Sequence, residues 1–376
     1  MKLSCLQANL NKGLNTVGRA VASRTTLPIT SNVLLATDQG RLKLVATNLE
    51  IAITCWNEAK VEEEGAITVP ARLLTEFVNS LPSNKIDMSL QRGRVLELVC
   101  ARFEARISGI EAKEFPATPR IEDGIMATVE PEALLQAISQ VVFAAATEES
   151  RPVLTGVDAL FDGNMLTLAA ADGFRLAVHR LTISNPIEPR TEVIIPSRTL
   201  NELNRLMADQ EEPVAISLNP NKSQAMFRLK NIEIVTQLIQ GTFPNYSHLV
   251  PESYNTRMVV STGDFLRATR TASIFARDGS GIVRLVISPG DQMTAGKVTV
   301  SARSEEIGED LGEIDAIVEG QEAKIALNGK YLVDVLSVMR KDKVAVETTG
   351  PSSPGVIKPV GTDNYMHVIM PMFVQW

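Results

Sequence analysis

Three times along its length this chain repeats one set of landmarks, at a spacing that dictates what each copy must be. Val69-Pro70-Ala71-Arg72-Leu73-Leu74 returns as Ile195-Pro196-Ser197-Arg198-Thr199-Leu200 and, more faintly, as Leu327-Asn328-Gly329-Lys330-Tyr331-Leu332. Ala46-Thr47-Asn48-Leu49-Glu50-Ile51-Ala52 matches Ala170-Ala171-Asp172-Gly173-Phe174-Arg175-Leu176, and Phe115-Pro116 matches Phe243-Pro244. Pro70 and Pro196 are 126 residues apart and the Phe-Pro pairs 128. Solenoid repeats run roughly 20 to 50 residues, so each copy here must close its own core. Three domains of about 125 residues meet that requirement, with boundaries expected at 1–123, 124–252 and 253–376. Tandem domains commonly serve geometry more than chemistry, so shape is the first thing to look for.

Each repeat reads as α+β. Apolar stripes predict helices over residues 7–22, 71–81, 131–147, 198–208, 264–277 and 329–341. Leu10, Leu14, Val17 and Val21 form the stripe of the first; Leu134, Ile138, Val141 and Ala145 form that of the third, with Gln136 and Gln140 outside. Between helices, alternating runs such as Leu42–Ala46, Glu50–Trp56, Val95–Cys100, Phe103–Ile107, Arg175–Arg180 and Ile232–Leu238 predict strands. Turns including Asp38-Gln39-Gly40, Asp162-Gly163-Asn164 and Lys230-Asn231 make most connections hairpins, and the sheets therefore antiparallel. Outer edge strands could extend a sheet across a domain boundary, and such a chain can close into a ring. Residues 121–127 and 250–256 are suitable linkers.

Net charge is −7, from 37 basic and 44 acidic side chains, which taken globally argues against nucleic acid. The charge is segregated, however. The six helical spans hold 11 basic residues and 5 acidic ones, a net +6, which leaves 26 basic and 39 acidic residues elsewhere. Lys12 and Arg19 fall opposite the first stripe, Arg198 and Arg205 share the outward face of the fourth helix, and Arg267, Arg270 and Arg277 share one flank of the fifth. A positive face on an acidic protein suits a phosphate backbone without sequence preference.

Other classes lack their signatures. His179, His248 and His367 have no metal-ligand spacing, and there is no Gly-x-Ser-x-Gly elbow and no Gly-rich phosphate loop before a helix. Asp172-Gly173 and Asp278-Gly279-Ser280-Gly281 read as turns. Cys5, Cys55 and Cys100 lie in apolar runs and read as small core residues of a reducing compartment. No apolar run reaches the ~18 residues of a membrane span, and Met1-Lys2-Leu3-Ser4-Cys5 lacks a signal-peptide core. A soluble cytoplasmic protein with no membrane association is expected.

Four segments in order carry a resemblance: Arg24-Thr25-Thr26-Leu27-Pro28-Ile29 with Asn32-Val33-Leu34-Leu35; Ala171-Asp172-Gly173-Phe174-Arg175-Leu176-Ala177; Phe243-Pro244-Asn245-Tyr246; and Met370-Pro371-Met372. On a threefold repeat they resemble the bacterial DNA polymerase III beta subunits, the sliding clamps, over the whole chain. The resemblance implies a head-to-tail homodimer, a ring of six similar domains with helices facing a central hole and antiparallel sheets outside, threaded by duplex DNA. It implies no catalysis and no cofactor; the ring tethers the polymerase. Arg24, Arg72 and Arg198 would approach the DNA backbone, joined by the helix-face cations Lys12, Arg19 and Arg205. A partner-peptide cleft between the second and third domains would use Leu154, Ala171, Gly173, Phe174, Arg175, Leu176, Pro244, His248, Leu249, Val368, Met370, Pro371 and Met372. Core burial is an equal reading for Leu154, Leu176 and Val368. Implied partners are the polymerase alpha subunit, the clamp loader, and other DNA polymerases and repair proteins that carry a clamp-binding peptide rich in Gln, Leu and Phe. Ala171, Phe174 and His248 stand where the family more often has Thr, His and Arg. The chain also runs on past Met372 through Phe373-Val374-Gln375-Trp376, whose aromatics could reach into the cleft.

Overall fold

The computed structural model describes residues 1–22, 27–92, 94–119, 121, 124–148, 150–276, 281–291, 295–306 and 308–376. Arg24, Glu122-Asp123, Arg277 and Asp278-Gly279-Ser280 lie outside the described residues.

Six α-helices occur among the described residues: α1 (Gln7–Val17), α2 (Ala71–Ser80), α3 (Pro131–Val141), α4 (Ser197–Leu206), α5 (Thr262–Ala276) and α6 (Gly329–Ser337). Four of them end two or more residues earlier than the apolar periodicity predicts. In α1 and α3 the last turn tightens into 3-10 geometry, at Gly18–Ala20 and Val142–Ala144, a common way to satisfy carbonyls that lack an i+4 partner. Val21 therefore follows the helix and is only half-buried. The repeated landmark starts α2 at Pro70 and α4 after Pro196, whereas α6 starts at Asn328, whose Oδ1 accepts from the Lys330 and Tyr331 amides at 2.9 and 3.2 Å. That is an N-cap satisfying two orphan donors. None of the six helices is long and apolar enough to cross a membrane among the described residues.

The chain packs as two compact units: Met1–Pro131, Ile183–Ile187 and Arg198–Leu238 in unit 1, and Glu132–Thr182, Glu188–Ser197 and Ile239–Trp376 in unit 2. The division cuts through the second repeat because sheets run on from repeat to repeat. Unit 1 holds a five-stranded sheet, ordered Lys60–Glu63, Lys2–Leu6, Lys85–Gln91, Val95–Cys100, Phe103–Ser108. It also holds a nine-stranded sheet in which Ile51–Asn57, from the first repeat, pairs antiparallel with Ile232–Gln237, from the second (Ile51↔Thr236 to Cys55↔Ile232). Unit 2 contains a seven-stranded sheet in which Arg175–Pro196 pairs with Tyr365–Ile369 (Arg175↔Ile369 to His179↔Tyr365). Its four-stranded sheet is ordered Gly308–Asp315, Lys297–Ser304, Ile282–Ser288, Ala323–Asn328. Helices α1 and α2 pack together in unit 1, and α5 and α6 in unit 2.

Two readings of the sequence need correction. The stretch 121–127 is not a free linker: Ile121 is buried with Met226 and Val235, and Ile125–Val129 pairs with Val214–Leu218. Gly124, at φ +151, has its missing Cβ only 1.9 Å from the Leu218 carbonyl oxygen, so no larger residue fits there. At the other proposed linker, Val250 packs on a core cluster and Thr256 begins a strand. The Asp162-Gly163-Asn164 turn lies midway along Gly156–Ala171, where Gly163 takes the left-handed φ of +55 that a tight hairpin turn requires. Second, Gln140 is buried, not outward. Its Oε1 lies 2.8 Å from His179 Nδ1, and its Nε2 donates to the Val338 carbonyl at 3.2 Å. A polar residue on the inner face of α3 is tolerated because both ends of its carboxamide are satisfied.

Candidate functional site

Exposed cations do line the helices, but most have local acidic partners. Arg72, 92% exposed in its side chain, donates to Glu76 one turn on at 2.7 Å. Glu202 accepts from both Arg205, at 2.9 Å, and Arg19, at 3.0 Å, joining the end of the first helix to α4 within unit 1. Lys12 sits 3.5 Å from Asp209, and Arg267 3.4 Å from Asp264. Arg198 is exposed on the first turn of α4. Three of the five acidic residues in the helical spans, Glu76, Glu202 and Asp264, therefore sit within 3.5 Å of a helix cation, which locally neutralises those cations. Exposed pairs of this kind are worth little, about 0.2–1 kcal/mol, and exchange readily for phosphate contacts.

The thirteen cleft residues all fall in unit 2. Leu154 joins Ile194 and Phe243 in one buried cluster, and Leu176 and Val368 join Ala169, Val178 and Val356 in another. Ala171 and Tyr246 pack against both clusters and connect them. These form an apolar floor, so Leu154, Leu176 and Val368 are core residues by burial. Around it stand Gly173, Phe174, Pro244, His248, Leu249 and Met370, all exposed, with Pro371 and Met372 half-buried. Phe174 is 64% exposed. Its carbonyl accepts from the Met370 amide at 2.9 Å, which ties the two sides of the rim. The tail leaves this rim: the Met372 amide donates to the Ala326 carbonyl at 2.8 Å, and the Trp376 ring lies beneath the Lys324 ammonium at 5.9 Å. Phe373 is 84% exposed. The tail thus runs beside Lys324 and Ala326 in this structure.

Arg175 does not offer its guanidinium to the cleft surface. It is buried and donates to Asp172 at 3.0 Å, to Asp334 of α6 at 2.7 Å and to the Phe143 carbonyl at 2.7 Å. The guanidinium also stacks over the Tyr331 ring at 4.2 Å. Asp172 in turn accepts the Phe174 and Arg175 amides at 2.9 and 3.1 Å, turning the chain so that Gly173 sits at φ +95. The rim loop is thereby held from beneath by α6 and the end of α3. Asp172, Phe143, Tyr331 and Asp334 are the members of this site that the sequence reading missed. The available signal was Asn48, which holds the matching place in the first repeat.

Family models for the N-terminal, central and C-terminal domains of the DNA polymerase III beta subunit match residues 1–119, 128–245 and 247–373. A Staphylococcus aureus protein named beta sliding clamp is 33% identical over 370 residues, 96% of each chain. The chain belongs to the DNA polymerase III beta subunit family. The Bacillus subtilis DNA polymerase sliding clamp matches with a TM-score of 0.94 at 28% identity, covering 100% of both chains. The Pseudomonas aeruginosa sliding clamp, solved bound to griselimycin, gives 0.92 at 27% identity, also covering 100% of both. The chain is thus a DNA sliding clamp of replication, built of α+β clamp repeats, and a non-catalytic processivity factor of DNA polymerase III. DNA and a polymerase are the partners that role requires.

One buried acid of this beta-subunit chain predicts a pH effect. Asp158 is 3% exposed, and its Oδ1 has no hydrogen-bond partner among the described residues. Burial, with Glu192 adding and Arg190 opposing, pushes its carboxyl from 3.8 up to about 7. The folded chain then holds this proton more tightly than the unfolded chain, so stability falls as pH rises from about 4 through about 7. Burial acts oppositely on His179 and His367, lowered to about 4 and about 3, whose neutral rings lose stability as pH falls below 6.5. Asp158→Asn should raise the melting temperature at pH 8 and leave it nearly unchanged at pH 4. The full shift corresponds to about 4 kcal/mol. Paired thermal melts check this, and an equal gain at both pH values would contradict it.

Proposed function

We propose that two copies of this chain close head to tail into a ring around duplex DNA, each contributing three domains at 1–123, 124–252 and 253–376. The observation that carries this reading is a strand joint used twice. Ile51–Asn57 pairs with Ile232–Gln237, and the strand beginning at Arg175 pairs with Tyr365–Ile369. In repeat order, Gly308–Asp315 is the third counterpart of the first member of each joint, and Phe103–Ser108 of the second. Both end their sheets. Pairing these two edges between copies repeats the joint a third time, and two such contacts close the ring instead of growing a fibre. Leu311, 68% exposed, and Phe103, 52% exposed, supply apolar contacts. Glu309, Asp310, Glu313 and Asp315 on one edge face a partner edge bearing Arg102 and Arg106.

Within the ring, Arg24, Arg72, Arg198, Arg205, Lys12 and Arg19 meet phosphates without reading bases. The cleft around Ala171, Tyr246, Leu176 and Met370 takes Gln-, Leu- and Phe-rich segments of the polymerase alpha subunit, the clamp loader, and other polymerases and repair proteins. Such a clamp works in the cytoplasm, where the bacterial chromosome is copied. Light scattering at micromolar concentration should give about twice the 40.9 kDa chain mass. Phe103→Asp with Leu311→Asp, both at exposed positions, should give the single-chain mass with an unchanged circular dichroism spectrum. A stable wild-type monomer, or an open polymer, would contradict the ring.

A further inference from the structure

The joint of unit 1 reproduces the cleft rim of unit 2 bond for bond. Asn48 Oδ1 accepts the Glu50 and Ile51 amides at 3.0 and 2.9 Å, as Asp172 Oδ1 accepts those of Phe174 and Arg175. The Gln237 amide donates to the Glu50 carbonyl at 2.9 Å, as the Met370 amide does to Phe174. Leu49 stands at φ +77 where the other rim has Gly173 at φ +95. A leucine in the left-handed region is strained, and this one is also 49% exposed. Strain of this kind persists where the surroundings over-determine it, and it gathers at binding sites. Beside it opens a cleft of about 180 Å³ lined by Thr47, Leu49, Glu50, Pro116, Gln224 and Gln237 among others. That is comparable to a cavity of roughly 150 Å³ that accepts a benzene ring.

We propose that this cleft is a second peptide-docking site, whose occupant is an extended partner segment presenting one apolar side chain followed by Lys or Arg. The apolar side chain enters between Leu49 and Pro116. Specificity differs from the first cleft because Glu50 replaces Phe174 at the rim, and among the described residues Glu50 is the one charged side chain that lines the cavity. A cation on the partner meets the exposed Glu50 carboxylate there. Gln224 and Gln237 offer carboxamides to the backbone of the segment. The inference rests on reading the Phe174–Met370 cleft as a peptide site.

The test uses the full-length clamp and two fluorescent probes: a short peptide rich in Gln, Leu and Phe, and the same peptide with Lys after its last apolar residue. Calorimetry should find two sites per chain for the Lys peptide and one for the parent. Glu50→Lys should weaken one Lys-peptide site by at least about tenfold, and Met370→Asp should abolish the other. Leu49→Gly should weaken the Glu50-sensitive site while the melting temperature holds or rises, since glycine adopts φ +77 freely. A single site indifferent to Glu50→Lys overturns the second cleft and leaves the first reading standing. A single site lost in Glu50→Lys and indifferent to Met370→Asp does the reverse, and no binding by either probe overturns both.

Discussion

Arg175→Met should lower the stability of unit 2 by about 3–5 kcal/mol, the range expected when a buried charge pair loses one partner. Methionine retains much of the apolar stem that packs on Tyr331, so the loss isolates the charge. Asp172 and Asp334 then face each other's field with no cation between them, and the Phe143 carbonyl loses its donor. Asp334→Asn added to Arg175→Met should recover part of the loss, because one uncompensated carboxylate disappears. Partner-peptide binding should fall in parallel, since the Gly173-Phe174 rim loses its brace to α6 once the guanidinium is gone and keeps only the Asp172 turn and the Met370 amide bond. The shift of the urea midpoint, followed by near-ultraviolet signal, checks this. A change below about 1 kcal/mol, within the range of ordinary exposed pairs, would show that Arg175 is not the brace described above.

The architecture was legible because the repeat is long and its strands alternate cleanly. Helix stripes such as Leu10, Leu14 and Val17 place α1 correctly because periodicity reports the buried face. Helix ends were less legible, since a 3-10 last turn has the same residues as a frayed one. Gln140 was misplaced for a different reason: nothing in its neighbourhood along the chain announces that His179 will stand 2.8 Å away. Gly124 and Ile121 looked like linker because polar and glycine residues surround them, yet Ile121 is buried against Met226 and Val235 and Gly124 leads into a strand that pairs with Val214–Leu218, partners far along the chain.

At the candidate site, residue types were legible and roles were not. Arg175 stands in a segment that carries the family resemblance, but only the fold reveals that its charge is spent inward on Asp172 and Asp334. The helix cations were counted correctly, while their pairing with Glu76, Glu202 and Asp264 depends on rotamers and on packing between helices. The Asn48 and Asp172 turns are visible as a repeated motif, but their φ values, and hence the strained Leu49, are not.

The largest effect expected of this clamp is topological, not chemical. If the helix cations merely bound phosphate, retention on DNA would fall steeply with salt, by about 10³ or more between 50 and 200 mM for a protein making six to ten contacts. A closed ring escapes that dependence, because leaving a circle requires opening a protein interface and not merely breaking phosphate contacts. Arg198→Glu with Arg24→Glu should impair loading on primed circles while leaving the dimer intact. The decisive measurement is the half-life of loaded clamp on a closed circular duplex at 0.5 M salt, before and after a restriction enzyme makes a single double-strand cut. The ring account predicts slow loss from the circle and rapid loss by sliding off the ends once it is linear. Equal half-lives on the two forms would contradict it.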